Sequence, residues 1–305
     1  MAVKIINPTD PIDVKQLCCL IYGQPSSRKS SLAQTADEPI TLAFDPGIYR
    51  AHGRKAAAMF DTWEDVVRFD AKPYKTLVID TVSMCLAKLA QALIQENPKN
   101  GNRNGGLSLP GYGILKERFK AWVESCKSNN QDIVFIAQEK ADRVGDESYY
   151  CPDIVGGSYN TLMESCDIVG YMHFENGKRV LDFNPTDRWM AKCPPCGWSQ
   201  FVLPDFSKEP GFLAHLLAEA KASMGRISEA SANAAKKLEE WQKLLDQDTC
   251  NLETLNKTCL PKLADMPKTD PVRNQAWHLI KQTAEAFDAT FNATTKQFEK
   301  KGELQ

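Results

Sequence analysis

From about residue 16 to residue 203, short apolar runs alternate with stretches of helical spacing. The runs are Leu17-Cys18-Cys19-Leu20-Ile21-Tyr22, Ile40-Thr41-Leu42-Ala43-Phe44, Thr76-Leu77-Val78-Ile79 and Ile133-Val134-Phe135-Ile136-Ala137. Each has the length of a strand and is almost continuously apolar, as strands covered on both faces of a parallel sheet are. The intervening pattern predicts helices over about Ser30–Ala36, Thr62–Phe69 (with Thr62 as N-cap), Val82–Gln95 and Tyr112–Lys127. Strand and helix in alternation predict a doubly wound α/β domain with a mainly parallel sheet flanked by helices. Residues 97–111 are rich in Asn, Gly and Pro and predict a mobile loop. Asp167–Met172 and Val180–Phe183 predict two more strands, joined by a hairpin turn at Asn176-Gly177.

After Gly211 the pattern becomes purely helical. Phe212, Leu213, Leu216 and Leu217 share one face, and Leu238, Trp241, Leu244 and Leu245 share another. A last helix is expected from Pro271 to about Lys300. Residues 1–225 therefore read as the α/β domain and 226–305 as a small helical C-terminal module, with Trp241, Trp277 and Phe287 in its core.

Composition adds exclusions. The formal net charge is −2, so any nucleic-acid contact must come from a local patch or an oligomeric surface. No apolar run approaches the roughly 20 residues that span a bilayer, and no signal-peptide order opens the chain. The ten cysteines are scattered through apolar contexts, which suits reduced thiols and a cytoplasmic protein.

The segment richest in chemistry is Gly23-Gln24-Pro25-Ser26-Ser27-Arg28-Lys29-Ser30-Ser31, which leaves a strand and opens a helix. A Walker A loop, Gly-x4-Gly-Lys-Ser/Thr, needs that context. Backbone N–H groups of such a loop converge on phosphate oxygens, and a helix N-terminus adds its dipole. Lys29 would place a charge near the β- and γ-phosphates of ATP, and Ser30 would offer its hydroxyl to Mg²⁺. One position departs from the pattern: Arg28 stands where glycine is expected, bringing a Cβ and a restricted φ. Three readings follow. The loop is degenerate, or it relaxes and turns over slowly, or the guanidinium itself reaches phosphate. A plain Ser-rich turn is the bland alternative.

Leu77-Val78-Ile79-Asp80 is an apolar strand ending in an acid, about 50 residues after the loop, as a Walker B strand would be; Asp80 would hold Mg²⁺ opposite Ser30. Ile133–Ala137 ends in Gln138, placed to sense a γ-phosphate. Leu77–Val82 is similar to the Walker B strand of RecA recombinases, and Ile133–Gln138 resembles their strand ending in a nucleotide-sensing glutamine. A loop of about 20 residues follows, ending at Gly156-Gly157. The resemblance implies a RecA-like P-loop NTPase and places Lys140, Arg143, Tyr149 and Tyr150 on a loop that contacts single-stranded DNA, with cations for phosphates and aromatic rings for bases.

Residues 16–224 also resemble the phage nucleotide-binding family filed with AAA-type ATPases, through the phosphate loop, Phe44-Asp45-Pro46-Gly47, Asp80-Thr81, Gly111-Tyr112-Gly113 and Asn184-Pro185-Thr186-Asp187. That resemblance implies an oligomeric ATPase of the bacterial host cytoplasm. It would act in phage recombination beside single-strand annealing or single-strand-binding proteins. The RecA resemblance makes Asp45, at the end of the second strand, a candidate to polarise the attacking water, with binding metal through water or capping a turn as the alternatives. The alternative is a scaffold in which Arg28 has disabled turnover. A metabolic kinase is disfavoured by the lack of a lid-like Arg cluster. Lys178, Arg179 and Arg188 are candidates to complete a neighbouring subunit's site. Cys193-Pro194-Pro195-Cys196 lacks the second ligand pair of a zinc site and reads as a turn with two free thiols.

Overall fold

The computed structural model describes residues 5–44, 53–144, 147–194 and 196–301. Asp45, Pro46, Gly47 and Pro195 lie outside them. The chain divides into two units, Val14–Met224 and a second formed by Met1–Asp13 with Gly225–Gln305.

In the first unit the apolar runs are all strands: β1 (Cys18–Gly23), β2 (Pro39–Ala43), β4 (Thr76–Asp80) and β5 (Asp132–Val144), with a short β3 (Ala57–Met59). Helices α1 (Lys29–Ala33), α2 (Trp63–Arg68), α3 (Val82–Glu96), α4 (Leu109–Lys127) and α5 (Gly157–Ser165) connect them. Strands β6 (Glu147–Pro152), β7 (Ile168–Glu175), β8 (Lys178–Asp182) and β9 (Gln200–Val202) complete the sheet. Its order is β3-β2-β4-β5-β1-β7-β8-β9, with β6 paired to β5. Strands β3, β2, β4, β5, β1 and β7 are mutually parallel, while β8, β9 and the β5–β6 pair add antiparallel edges.

The continuous apolar runs follow from burial on both faces. Along β1, Cys18, Leu20 and Tyr22 enter one core with Leu77, Ile79, Ile133 and Phe135, beneath residues of α2, α3, α4 and α5. Cys19 and Ile21 enter the other with Val78, Val134 and Ile136, beneath α1 and the first turns of α6 (Phe212–Leu245). Each large side chain so covered contributes roughly 1.5–3 kcal/mol relative to exposure. Thr62 caps α2 as expected, in a reciprocal capping box with Asp65. Asn176 and Gly177 take positive φ of 50° and 75° in the β7–β8 turn, the conformation that an Asn-Gly pair accepts most readily.

Three expectations need correction. The Asn/Gly-rich segment 97–111 is built by its own side chains. Asn97 caps a short 3-10 turn (Pro98–Asn100), Asn102 accepts from the N–H groups of Asn104 and Gly106, and Leu107 is buried. The loop expected after Gln138 is a β-hairpin: β5 runs on to Val144 and β6 returns antiparallel against it. The last helix stops early. Helix α9 (Arg273–Ala286) is followed by a hairpin of β10 (Ala289–Asn292) and β11 (Gln297–Lys300). Asp288, with φ 56°, turns the chain out of the helix, and Asn292 accepts from the N–H groups of Thr294 and Thr295 to build the turn. Thr290, Phe291 and Phe298 then favour pleated backbone.

The second unit, in which the short helices α7 (Leu252–Thr254) and α8 (Leu260–Ala264) lie between α6 and α9, has its own core. Trp241 and Leu245 of α6 pack with Leu255, Cys259, Ile280, Ala284 and Phe298, and Trp277 and Phe287 lie half-buried against them. The boundary between the units, at Met224 and Gly225, falls within helix α6.

Candidate nucleotide site

The site is built at the carboxyl ends of the parallel strands, where open α/β sheets place their ligands. Strand register sets its parts. Gly23, ending β1, lies opposite Gln138 of β5, and Asp80, ending β4, lies opposite Ile136. At position 23 no side chain is possible, because a Cβ would fall onto the Met172 carbonyl of β7.

The loop after Gly23 supplies a cradle. Ser26 and Arg28 have φ of 65° and 76°, with Ser27 between them outside the left-handed region. Alternation of this kind turns successive N–H groups to one side and makes an anion-binding concavity. Ser27 is buried and donates its N–H to the Gln24 carbonyl at 3.3 Å, whereas Gln24, Pro25, Ser26 and Arg28 are exposed. Arg28 occupies the left-handed region (φ 76°, ψ 26°) at the N-cap of α1. The glycine-type backbone is thus formed with arginine in place, and the loop keeps its shape in spite of the residue that departs from the motif.

Lys29 is the centre of the arrangement. Its side chain is buried, and Nζ lies 2.8 Å from the Gly23 carbonyl oxygen, 2.7 Å from that of Gln24 and 3.0 Å from Gln138 Oε1. Burial pulls its pKa down to about 8, against the opposing fields of Asp80 and Glu139. An ammonium so desolvated gains strongly from an anionic partner. Ser30 is half-buried on the first turn of α1, and Ser31 behind it is buried. Asp80 is half-buried at its strand end, and its carbonyl accepts from Phe44 N–H at 3.1 Å. Loop N–H groups, a cation, a hydroxyl and a carboxylate therefore lie on the phosphate loop and the neighbouring strand ends, at one edge of the sheet. That set fits a nucleoside triphosphate with Mg²⁺.

Of the sequence-predicted residues, Gly23 to Ser31, Asp80 and Gln138 come together, while Asp45 lies outside the described residues. The four candidates for DNA contact do not share a face. Cross-strand partners in an antiparallel pair project to the same side. Lys140 and Tyr149 project with Asp142, to which Lys140 is ion-paired at 3.2 Å. Arg143 and Tyr150 project to the opposite side, and the Tyr150 ring is already stacked on Tyr171 at 6.0 Å between centroids.

The sequence reading missed Glu139 and an aromatic wall. Glu139 accepts from Tyr171 Oη at 2.8 Å, and Tyr171 stacks on Tyr22 at 4.9 Å and on His173 at 5.0 Å. The Tyr22 hydroxyl lies 2.5 Å from the Met190 carbonyl oxygen and 3.2 Å from that of Tyr150. The wall joins the strand that feeds the phosphate loop to the hairpin beyond Gln138. Its only sequence signal is aromatic residues at matching register on β1 and β7. Elsewhere, Arg179 lies over the Phe174 ring at 4.9 Å, and the Cys193 and Cys196 thiols sit half-buried against the second core with raised pKa values. Among the described residues no three His, Cys, Asp or Glu side chains converge as a metal site would require.

Sheet order, phosphate loop and strand-end acid together give the first unit the fold of a RecA-like P-loop NTPase. Residues 15–194 match the model of the AAA domain family, and the chain belongs to that family. No curated protein matches it significantly. Among solved structures, the chain is similar to a KaiC-like protein of the hyperthermophilic archaeon Pyrococcus horikoshii OT3. The two are 12% identical over 54% of this chain and 77% of that one, with a TM-score of 0.32. Among the described residues no helix is long and apolar enough to cross a membrane.

Proposed function

We propose that the protein is an ATP-binding, Mg²⁺-dependent ATPase that works as an oligomer on single-stranded DNA in phage-type recombination or annealing. The observation that carries the nucleotide part is the bond between Lys29 Nζ and Gln138 Oε1 at 3.0 Å. It ties the phosphate-binding lysine directly to the strand that continues into the exposed hairpin. When bound, ATP and its metal ion supply the phosphoanhydride and a Lewis acid.

The chain's residues then have separable tasks. The loop N–H groups hold phosphate, and Lys29 trades the carbonyls of Gly23 and Gln24 for phosphate oxygen. Ser30 and Asp80 would hold the metal ion from opposite sides. Gln138, released from Lys29, reads the γ-phosphate. A shift at Gln138 is passed along β5, and through Glu139 and Tyr171 to the aromatic wall, so that the 139–152 hairpin responds to nucleotide state. Asp45 is the candidate to polarise water. Arg143, exposed near the hairpin tip, is the strongest of the four DNA candidates. Lys140 is ion-paired, and Tyr150 is half-buried and stacked on Tyr171.

The second reading, a scaffold without turnover, draws on Arg28. Steady-state ATP hydrolysis with and without single-stranded DNA, beside Lys29→Ala, separates the two. DNA-stimulated hydrolysis lost in Lys29→Ala supports the ATPase. Activity no higher than that of the variant leaves the scaffold. DNA binding that is absent or independent of salt removes the DNA part.

A further inference from the structure

The second unit carries a groove of about 600 Å³, remote in sequence from the phosphate loop and unused by the proposed chemistry. Its volume lies within the range of ligand-binding clefts. Leu260 and Pro261 of α8 (Leu260–Ala264), Trp277 of α9 and Phe291 of β10 line it. Arg273 and Lys296 also line it, and among the described residues that do so none is an acid. The nearest carboxylate on the hairpin, Glu299, is engaged by Thr295 Oγ1 at 2.6 Å and Asn292 Nδ2 at 2.8 Å. A half-apolar concavity with two cations and no lining anion is complementary to an apolar side chain flanked by carboxylates.

The walls are fixed rather than collapsible. Asn256 donates to the Phe298 carbonyl at 2.9 Å and accepts from the Phe298 N–H at 2.7 Å, which pins the hairpin to the helical turn before α8. Arg273 donates one N–H to the Met266 carbonyl, which orients the guanidinium while its fork retains donors for a carboxylate.

Two ligand classes suit cations beside aromatic rings, and the geometry separates them. Base stacking on a single strand needs an open aromatic face. Trp277 has the Lys281 ammonium 5.1 Å from its centroid, Phe298 tilted against it at 5.7 Å and Phe291 edge-on at 4.9 Å. With Lys281 over one face of Trp277 and Phe291 and Phe298 packed about it, the groove suits an aliphatic or aromatic side chain better than a stacked base. We infer that this groove docks a peptide segment of a partner protein in which an apolar side chain is flanked by acidic residues. The side chain enters between Leu260, Pro261, Trp277 and Phe291, and a carboxylate pairs with Arg273 and Lys296.

The test uses the full chain and fluorescence anisotropy. The probe is a labelled synthetic peptide in which phenylalanine and leucine alternate with aspartate. The controls are the same peptide with lysine for aspartate, and a labelled oligothymidylate. The expected Kd for the acidic peptide is on the order of 10–100 µM. Lys296→Glu and Asn274→Glu should each weaken it about five- to tenfold. Both positions are exposed, so circular dichroism and Tm should stay at wild-type values; if either variant misfolds, Lys296→Gln replaces it. Equal binding of the lysine peptide, no binding of the acidic peptide at millimolar concentration, or affinity unmoved by the variants would overturn the inference. Tighter oligothymidylate binding that Lys296→Glu removes would also overturn it, making the groove a nucleic-acid site.

Discussion

Arg28→Gly separates a loop of correct shape from a damaged one. Arg28 holds φ 76° and ψ 26° at the N-cap of α1, where a side chain with a Cβ costs roughly 1–2 kcal/mol. Glycine removes that cost but gives back about 0.5–1 kcal/mol through the extra freedom of the unfolded chain. The expected net gain is about 0.5–1 kcal/mol. In a unit running from Val14 to Met224, about 2–4 °C accompanies each kcal/mol. The variant should therefore melt roughly 1–4 °C higher by differential scanning fluorimetry or calorimetry. Because the backbone already has the glycine-type conformation, ATP affinity and turnover should move by no more than about threefold, or well under 1 kcal/mol. A melting point that falls would refute the strain argument. Turnover that rises a hundredfold on Arg28→Gly would show that the guanidinium blocks the site, and the scaffold reading would then stand for the natural sequence.

Other outcomes follow from named contacts. Lys29 binds phosphate as an ammonium, and its pKa is near 8, so it is charged below that pH and loses its proton above it. The apparent Kd for ATP should be flat below pH 8 and rise about tenfold per pH unit above it, and Lys29→Arg should flatten the profile, since guanidinium stays charged. Gly23→Ala drives a Cβ into the Met172 carbonyl between two central strands and should cost more than about 3 kcal/mol in urea unfolding or prevent folding. Arg118→Ala removes a bidentate pair with Glu96 at 2.5 and 2.6 Å, but both side chains are more than a third exposed, so the loss should be under about 1 kcal/mol and shrink with added salt.

The sheet was legible because its strands are buried on both faces, and a run such as Ile133–Ala137 has the length and the β-branched and aromatic content of such a strand. The phosphate loop was legible as a motif, and the register of Gly23 against Gln138 is what brings Lys29 within hydrogen-bonding distance of Gln138. What sequence pattern misjudged was decided by side chains acting at a distance or on the local backbone. The Asn102 amide orders a segment whose composition reads as mobile. Asp288 and Lys296, both at φ 56°, convert a helical expectation into a hairpin. Periodicity is weakest after Gln138, where Lys140, Asp142, Tyr149 and Tyr150 read as polar loop. They alternate correctly only once paired across the hairpin, and pairing also divides the DNA candidates between two faces. Glu139 was passed over because an acid after a strand end carries no signature until Tyr171 is found beside it.

The central claim is that Lys29, held against Gln138, is the phosphate-binding lysine of a working nucleotide site. Equilibrium titration of the purified protein with a fluorescent ATP analogue and Mg²⁺, beside Lys29→Ala and Gln138→Ala, tests it most directly. Saturable binding by the wild type is expected, with a loss of at least about a hundredfold in Lys29→Ala and retained binding but impaired turnover in Gln138→Ala. Absence of binding at millimolar nucleotide, or equal binding by wild type and Lys29→Ala, would contradict it.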